Sequence, residues 1–474
     1  MKTFYLLISL LAASVSFGQT VSSRLEAAIK NIETDAQFKH AILSLYVVDS
    51  KTGKVIVDKN AQIGLAPASC QKVITSASAF EMLGKEYRYK TELRYFGSLK
   101  DSGLTGNLYL AGYGDPTLGS WRYSNTGEQV LMKRWLNVLQ QKNIHSIGNL
   151  IVDTRRFSAQ FIPGGWSWED IGNYYGAGAG ALNWRENQFD LILKAGDEVG
   201  KNVEITGIKL DNYAMPFSTE LTTGKKGSGD NAYIYLPSDG EYALVKGTIP
   251  LGEKNFKISG AIINPSFFLW KEFRRNLDAA GITYKKTEEK YLVPKDKLAG
   301  YSTARVDTLH NYILDQYLSP PLDSINYWFL KKSINLYGEA FVKTIAYEKT
   351  NFGSTDTGVA IIKNFWSNKG IEPSSINIID GSGLSPANRV TTNALVTVMQ
   401  YAKQQKWFAS FYNALPEMNG VKMKDGYITG VRSYTGYIKS KTGEEYTFSF
   451  IVNNFDGSAG TVREKMWKVL DILK

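Results

Sequence analysis

"APASCQKVITSASAFEML", residues 66–83, places Ser69, Cys70 and Lys72 in the first turn of an otherwise apolar, small-residue helix. Residues three apart on a helix share a face, whereas neighbours diverge by about 100°. Ser69 and Lys72 therefore converge, and Cys70 points elsewhere. A serine hydroxyl is a poor nucleophile until a base takes its proton. A lysine can be that base once burial and nearby cations depress its pKa. Ser69 at a helix start also has backbone N–H groups available for a developing oxyanion. Cys70, the only cysteine of the chain, would need an activating base of its own. No spacing ties His40, His145 or His310 to it, so it reads as a small buried filler.

The rest of the chain sets the context. At 474 residues it is long enough for two or three domains, and with 43% hydrophobic and 21% charged residues it is globular material. Residues 1–18, "MKTFYLLISLLAASVSFG", have the layout of a secretory signal: Lys2, an apolar run, then small residues. That run is too short to span a bilayer, as is every later one, so no transmembrane anchor is expected. With one cysteine there is no intramolecular disulfide, and core burial must supply stability. A formal charge of +10 suits an anionic polymer or membrane surface, which allows peripheral association with a wall or membrane. No dense Lys/Arg run or nucleic-acid motif is present. Three scattered histidines and one cysteine offer no metal-ligand cluster, and no cofactor is implied.

Along the chain, a helix around Ser22 to Glu33 precedes "AILSLYVVDSKTGKVIVDKN", a β-hairpin turning at Asp49 to Gly53. A long strand-rich region follows, broken by two helices, "EQVLMKRWLNVLQQKN" and "PSFFLWKEFRRNLDAAG". From about residue 305, "DTLHNYILDQYL", "NLYGEAFVKTIAYE", "GVAIIKNFWSNKG" and "TTNALVTVMQYAKQQ" show helical spacing, and strands and a last helix close the chain.

Two further motifs accompany Ser69 and Lys72. In "KKSINLYGEAF", Ser333 and Asn335 offer a hydroxyl and an amide at a helix start. In "KSKTGEEYTFSFIVNN", Lys441, Thr442 and Gly443 sit on a strand-like segment, where an ammonium and a hydroxyl can hold a carboxylate and the glycine lets substrate backbone approach. An identical Lys51-Thr52-Gly53 lies in the hairpin turn and reads as turn chemistry. Ser-x-x-Lys, Ser-x-Asn and Lys-Thr-Gly in that order form the motif set of penicillin-binding proteins and related β-lactamases.

The chain resembles the D-alanyl-D-alanine carboxypeptidase/endopeptidase family, the class C low-molecular-mass penicillin-binding proteins of peptidase family S13. The resemblance is carried by the stretch above and by "YLAGYGDPTL", "PGGWSWEDIGNYYGAGAGALNWREN", "SPPLDSINYWFLKKSINLYGEAF", "DGSGLSPANRVTTNAL" and "GYIKSKTG". It implies an α/β (α+β) fold: a β-lactamase-like catalytic domain, antiparallel sheet with helices, split by a large insertion. The expected division is a signal peptide at 1–18, a catalytic domain of 19–95 and 305–474, and a β-rich insertion of one or two domains at 96–304.

By the same resemblance Ser69 is acylated and Lys72 is its general base. Ser333 relays a proton to the leaving group, Asn335 holds the substrate amide, and Lys441 with Thr442 binds the terminal carboxylate, with Gly443 beside them at the substrate backbone. The oxyanion hole is the N–H of Ser69 and that of Glu444. Ser382, in the "DGSGLS" loop, and Arg389 are expected at the substrate, with Pro386 standing where the family has a basic residue. Trp166, Trp168, Asp170, Tyr174, Tyr175 and Trp184 are candidates for the cleft wall. Asp170 is the candidate for the amino group of the stem peptide's diamino acid. The implied function is an exported, periplasmic or wall-associated serine carboxypeptidase, with endopeptidase activity possible. Its substrates would be peptidoglycan stem peptides ending in D-Ala-D-Ala, and β-lactams would be covalent inhibitors. The rival readings are a β-lactamase, which the roughly 200-residue insertion argues against, and a wall-binding or β-lactam-sensing protein with little turnover.

Overall fold

The computed structural model describes residues 20–100, 103–210, 216–236, 242–285, 290–292 and 312–474; the expected leader lies outside them. The organising element is a six-stranded antiparallel sheet. Its order is Glu417–Met418, Val421–Ile428, Val431–Lys439, Glu445–Asn453, Ile42–Asp49 and Val55–Lys59. The first long strand of the chain thus pairs with the last, Ile42 opposite Asn453.

Both faces of this sheet are covered, so Val431–Lys439 and Glu445–Asn453 are buried along most of their length, polar residues included. One face packs on two terminal helices. Val21–Glu33, capped by the Thr20 hydroxyl, presents Leu25, Ile29 and Ile32 one turn apart; Ala459–Leu470 presents Val462, Met466 and Val469. These meet Leu43, Leu45, Val47, Phe448 and Phe450 from the strands. The other face packs on an all-helical layer that includes Lys72–Met82, Asn335–Thr350 and Thr392–Lys403. The active-site elements lie between that layer and the sheet.

The intervening region contains two separate apolar cores. A five-stranded sheet, ordered Lys290–Leu292, Leu150–Asp153, Gly103–Gly112, Lys90–Lys100, Tyr312–Leu318, packs Leu108 and Leu110 against Trp135 and Phe273 of the helices Glu128–Gln141 and Pro265–Ala279. Two three-stranded sheets close over Phe189, Leu191, Leu193, Ile234, Val245 and Ile258. Both chain crossings into this region run through the five-stranded sheet, because Lys90–Lys100 pairs with Tyr312–Leu318.

One expected helix is a strand. Of "DTLHNYILDQYL", Tyr312–Leu318 adds to the edge of that sheet, and the residues before Tyr312 lie outside the described ones. Ile313 and Tyr317 have helical spacing, but a half-covered edge strand also tolerates it, and the stack of Tyr312 on Tyr95 at 5.2 Å fixes the pairing. No helix among the described residues is long and apolar enough to cross a membrane.

Candidate active site

The turn of the candidate nucleophile, Ser69, starts with Ala68 in a left-handed conformation (φ 44°), which opens a 3₁₀ turn, Ala68–Gln71, followed by the helix Lys72–Met82. The expected single helix is therefore tightened at its first turn. In a 3₁₀ turn residues i and i+3 eclipse, which brings Lys72 Nζ to 2.8 Å from Ser69 Oγ. Lys72 has no exposed surface. Its other two contacts are Asn335 Oδ1 at 2.6 Å and the carbonyl of Ser382 at 2.7 Å. An ammonium has three donors, and all three are used. Neutral, the amine keeps two donors for Asn335 and Ser382 and turns its lone pair to the Ser69 hydroxyl. Burial, reinforced by the like charge of Lys424, pushes the Lys72 pKa down to about 7 against the pull of Asp380, Glu339 and Asp425.

The strand against this turn is Val421–Ile428. A Cβ added to Gly426 would lie 2.7 Å from the Pro67 carbonyl and 2.9 Å from Ser69 N, so only glycine lets the strand come this close. The neighbouring strand helps, with Ser433 Oγ donating to Pro67 O at 2.6 Å. Cys70 points into this packing; its thiol donates to the Lys424 carbonyl at 3.2 Å, and burial pushes its pKa up to about 11. Ser69, not Cys70, faces the cavity.

The lysine nearest the nucleophile turn is consequently Lys424, not Lys441. Lys424 is buried, with Nζ on Asp425 Oδ1 at 2.8 Å and on the Asp425 carbonyl at 2.6 Å. Burial works against ionisation of Asp425, but the Lys424 ammonium holds its carboxyl below the ordinary range. Lys441, Thr442, Gly443 and Glu444 form the turn after Val431–Lys439. Ser433 lies opposite Gly426 and Lys439 opposite Glu445. At ~3.3 Å per residue, the six steps from Ser433 to Lys439 carry the chain roughly 20 Å from the nucleophile turn. The side chains of this later turn bond largely to one another: the Thr442 and Ser440 hydroxyls donate to the Glu444 carboxylate, and the Glu444 N–H donates to Ser440 Oγ at 3.0 Å, while the Lys441 N–H donates to the Lys474 carbonyl at 3.3 Å. The expectation that these four residues bind substrate is corrected.

Ser333 holds a left-handed φ of 56° and lines the cavity; Asn335 opens the next helix, with its Nδ2 on the Tyr175 carbonyl at 2.7 Å. The inserted region thus fixes the amide that holds Lys72. The "DGSGLS" loop is wound about Asp380, whose carboxylate accepts from Gln71, Trp166, Gly383, Ser385 and Asn388. Ser382 reaches the site only through its carbonyl. Its side chain is fully buried and its hydroxyl accepts from Leu384 N, so a substrate contact is corrected to a backbone anchor for Lys72. Glu339 braces the loop from behind, accepting from Gly381 N at 3.1 Å, with its pKa raised to about 8 by burial and by the charge of Asp380. Arg389 is also corrected: it is not among the residues lining the cavity, and its guanidinium is taken up by the carbonyls of Pro386, a lining residue, and Asn388.

The cavity measures about 480 Å³ and is lined by Ser69, Ser333, Asn335, Asp170, Tyr174, Tyr175, Tyr233, Asp425 and Tyr427 among others. Burial, with the Glu169 charge beside it, raises the Asp170 pKa to about 6. Trp166 and Trp184 are buried elsewhere and Trp168 packs at a tilt against Tyr235, so the aromatic wall is tyrosine. Sequence reasoning missed Lys424, Asp425, Arg122 and Glu186. For the first two a signal existed: "VKMKDGYITGV" alternates and ends in a glycine turn, as a strand bordering the site should.

A sequence model described as the D-Ala-D-Ala carboxypeptidase 3 (S13) family matches residues 25–471. The D-alanyl-D-alanine carboxypeptidase of Actinomadura sp. (strain R39) is 26% identical over 95% of this chain and 86% of its own. The carboxypeptidase DacB of Haemophilus influenzae is 24% identical over 87% and 85%. A crystal structure of penicillin binding protein 4 (dacB) from H. influenzae superposes with a TM-score of 0.76 at 21% identity, covering 95% of this chain and 99% of that one. Its likeness shows the fold. With the family match spanning almost every described residue, the chain belongs to the D-Ala-D-Ala carboxypeptidase (S13) family.

Proposed function

We propose that this protein is an exported serine DD-peptidase of the cell wall, which hydrolyses the amide on the carboxyl side of a stem-peptide D-alanine through a Ser69 acyl-enzyme. The carrying observation is the 2.8 Å contact between Ser69 Oγ and a buried Lys72 Nζ at the edge of a cavity wide enough for a peptide. Neutral Lys72 takes the Ser69 proton as Oγ bonds to the carbonyl carbon. The C–N bond then breaks, and the leaving amine takes a proton by way of Ser333. Water attacks the ester, and the acid and free Ser69 are restored. Asp170 and Glu169, on the cavity wall, suit an ammonium of the stem peptide's diamino acid. The names of the relatives, carboxypeptidase and penicillin binding protein, support both the reaction and acylation by β-lactams.

The test is to mix the purified protein with a muropeptide ending in D-Ala-D-Ala and follow free D-alanine, with a fluorescent penicillin as a second probe. Ser69→Ala should abolish both signals. Lys72→Arg keeps a charge but cannot deprotonate, and should be as inactive as Lys72→Ala. Cleavage that persists in Ser69→Ala would refute the reading.

A further inference from the structure

The cavity is acidic where a carboxylate-binding site would have to be basic. Among the described residues four carboxylates line it, Glu169, Asp170, Glu186 and Asp425, against two cations, Arg122 and Lys332. Arg122 is already held by Glu186 at 2.7 Å. On the strand that abuts Ser69 the cation beside Gly426 is Lys424, and its side chain is 1% exposed. Its Nζ donates to the carbonyl and to the carboxylate of Asp425, whose side chain is 34% exposed and lines the cavity. What this strand presents to a substrate is therefore the Asp425 carboxylate, with the ammonium behind it.

A peptide ending in a free D-alanine brings a carboxylate to within one residue of the bond Ser69 attacks. To use Lys424 it has to displace a carboxylate tethered to the adjacent residue. Without displacement, two like charges share one partly dehydrated wall, which disfavours the pair. The carboxylate takes no part in bond making: Oγ–C forms, C–N breaks, and the amine leaves with a proton whether or not it carries that charge. Removing the charge therefore removes the penalty and leaves the reaction unaltered.

We propose that Asp425 determines specificity, turning the site toward D-alanyl amides whose leaving amine bears no free carboxylate, such as amidated stem ends or cross-links through a side-chain amine, and away from free-acid termini. This rests on the DD-peptidase reading and names the substrate class within it.

The experiment compares one donor peptide in two forms, ending in D-Ala-D-Ala free acid and in its carboxamide, by kcat/KM. The wild-type protein should favour the carboxamide by about tenfold or more, and the preference should shrink as salt screens the charge. Asp425→Thr should lose or invert it, and Asp425→Glu should keep it. A wild-type protein faster on the free acid overturns the proposal without a variant being needed. So does a carboxamide preference that a folded Asp425→Thr leaves intact. Cleavage of neither form removes the DD-peptidase reading and this proposal together, whereas preference for the acid removes only the proposal.

Discussion

Two Lys-x-Gly tripeptides, 424–426 on a strand and 441–443 in a turn of the same sheet, invite comparison, and the one with the better motif is in the wrong place. Lys441-Thr442-Gly443 is an exposed turn whose polar groups satisfy one another. Lys424-Asp425-Gly426 runs mid-strand against the nucleophile turn, its glycine touching Pro67 and its lysine depressing Lys72. The difference shows that what matters is the strand position which the sheet delivers to Ser69. A threonine between lysine and glycine does not by itself make a site.

The sharpest way to break this comparison is to add a side chain at each glycine. Gly426→Val pushes the strand from Ser69 N, and kcat/KM should fall roughly 100-fold or more, about 2.7 kcal/mol of transition-state stabilisation. Gly443→Val meets nothing within 4 Å, and its φ of 97° imposes only local backbone strain. Penicillin labelling of the two variants measures the contrast, and equal losses would sink it. Next is pH. In the proposed reaction Lys72 acts as the neutral amine, and burial holds its pKa down to about 7, so acylation should rise with pH through that region and fall about tenfold per unit below it. Lys424→Met removes a like charge, raises the Lys72 pKa and moves this limb to higher pH; Lys441→Met should leave it unmoved. Stopped-flow acylation rates across pH separate the two. Smaller still, Cys70→Ala empties a buried site without touching the cavity. Thermal unfolding should report a loss of about 1–2 kcal/mol, and labelling should persist. The smallest effect belongs to Lys441→Ala, with stability within about 0.5 kcal/mol of wild type and unchanged D-alanine release.

Ser69 and Lys72 were legible because their convergence is local: three residues apart on one turn, their geometry follows from helical periodicity. Ser333 and Asn335 were legible as a pair at a helix start, but not the Tyr175 carbonyl that orients Asn335, since that contact comes from a segment 160 residues away. Lys424 stayed hidden because its partner in sequence, Asp425, breaks the expected pattern while a faithful copy lies seventeen residues on. Strand register, which sets which lysine borders the site, is a property of the assembled sheet. Ser382 was expected at the substrate from its place in the loop and meets Lys72 through its carbonyl, which any residue carries, so side-chain identity held no information there. The Tyr312–Leu318 strand was missed for a related reason: its edge pairing is supplied by Lys90–Lys100, far upstream.

The pairing of Ile42–Asp49 with Glu445–Asn453 has a consequence for how the molecule is made. The sheet that supports the nucleophile turn has its middle open until the last strand of the chain arrives, and closing so long a loop delays folding more than it weakens the folded state. During synthesis the inserted cores can form on their own contacts while the catalytic half waits. A chain cut just before Glu445 would retain Ser69, Lys72, Ser333, Asn335 and Lys424, yet expose the apolar faces of Leu43, Leu45 and Val47 on unpaired edges. Such a fragment is expected to aggregate and to bind no penicillin, so proteolysis at the carboxyl end silences an active site it never touches.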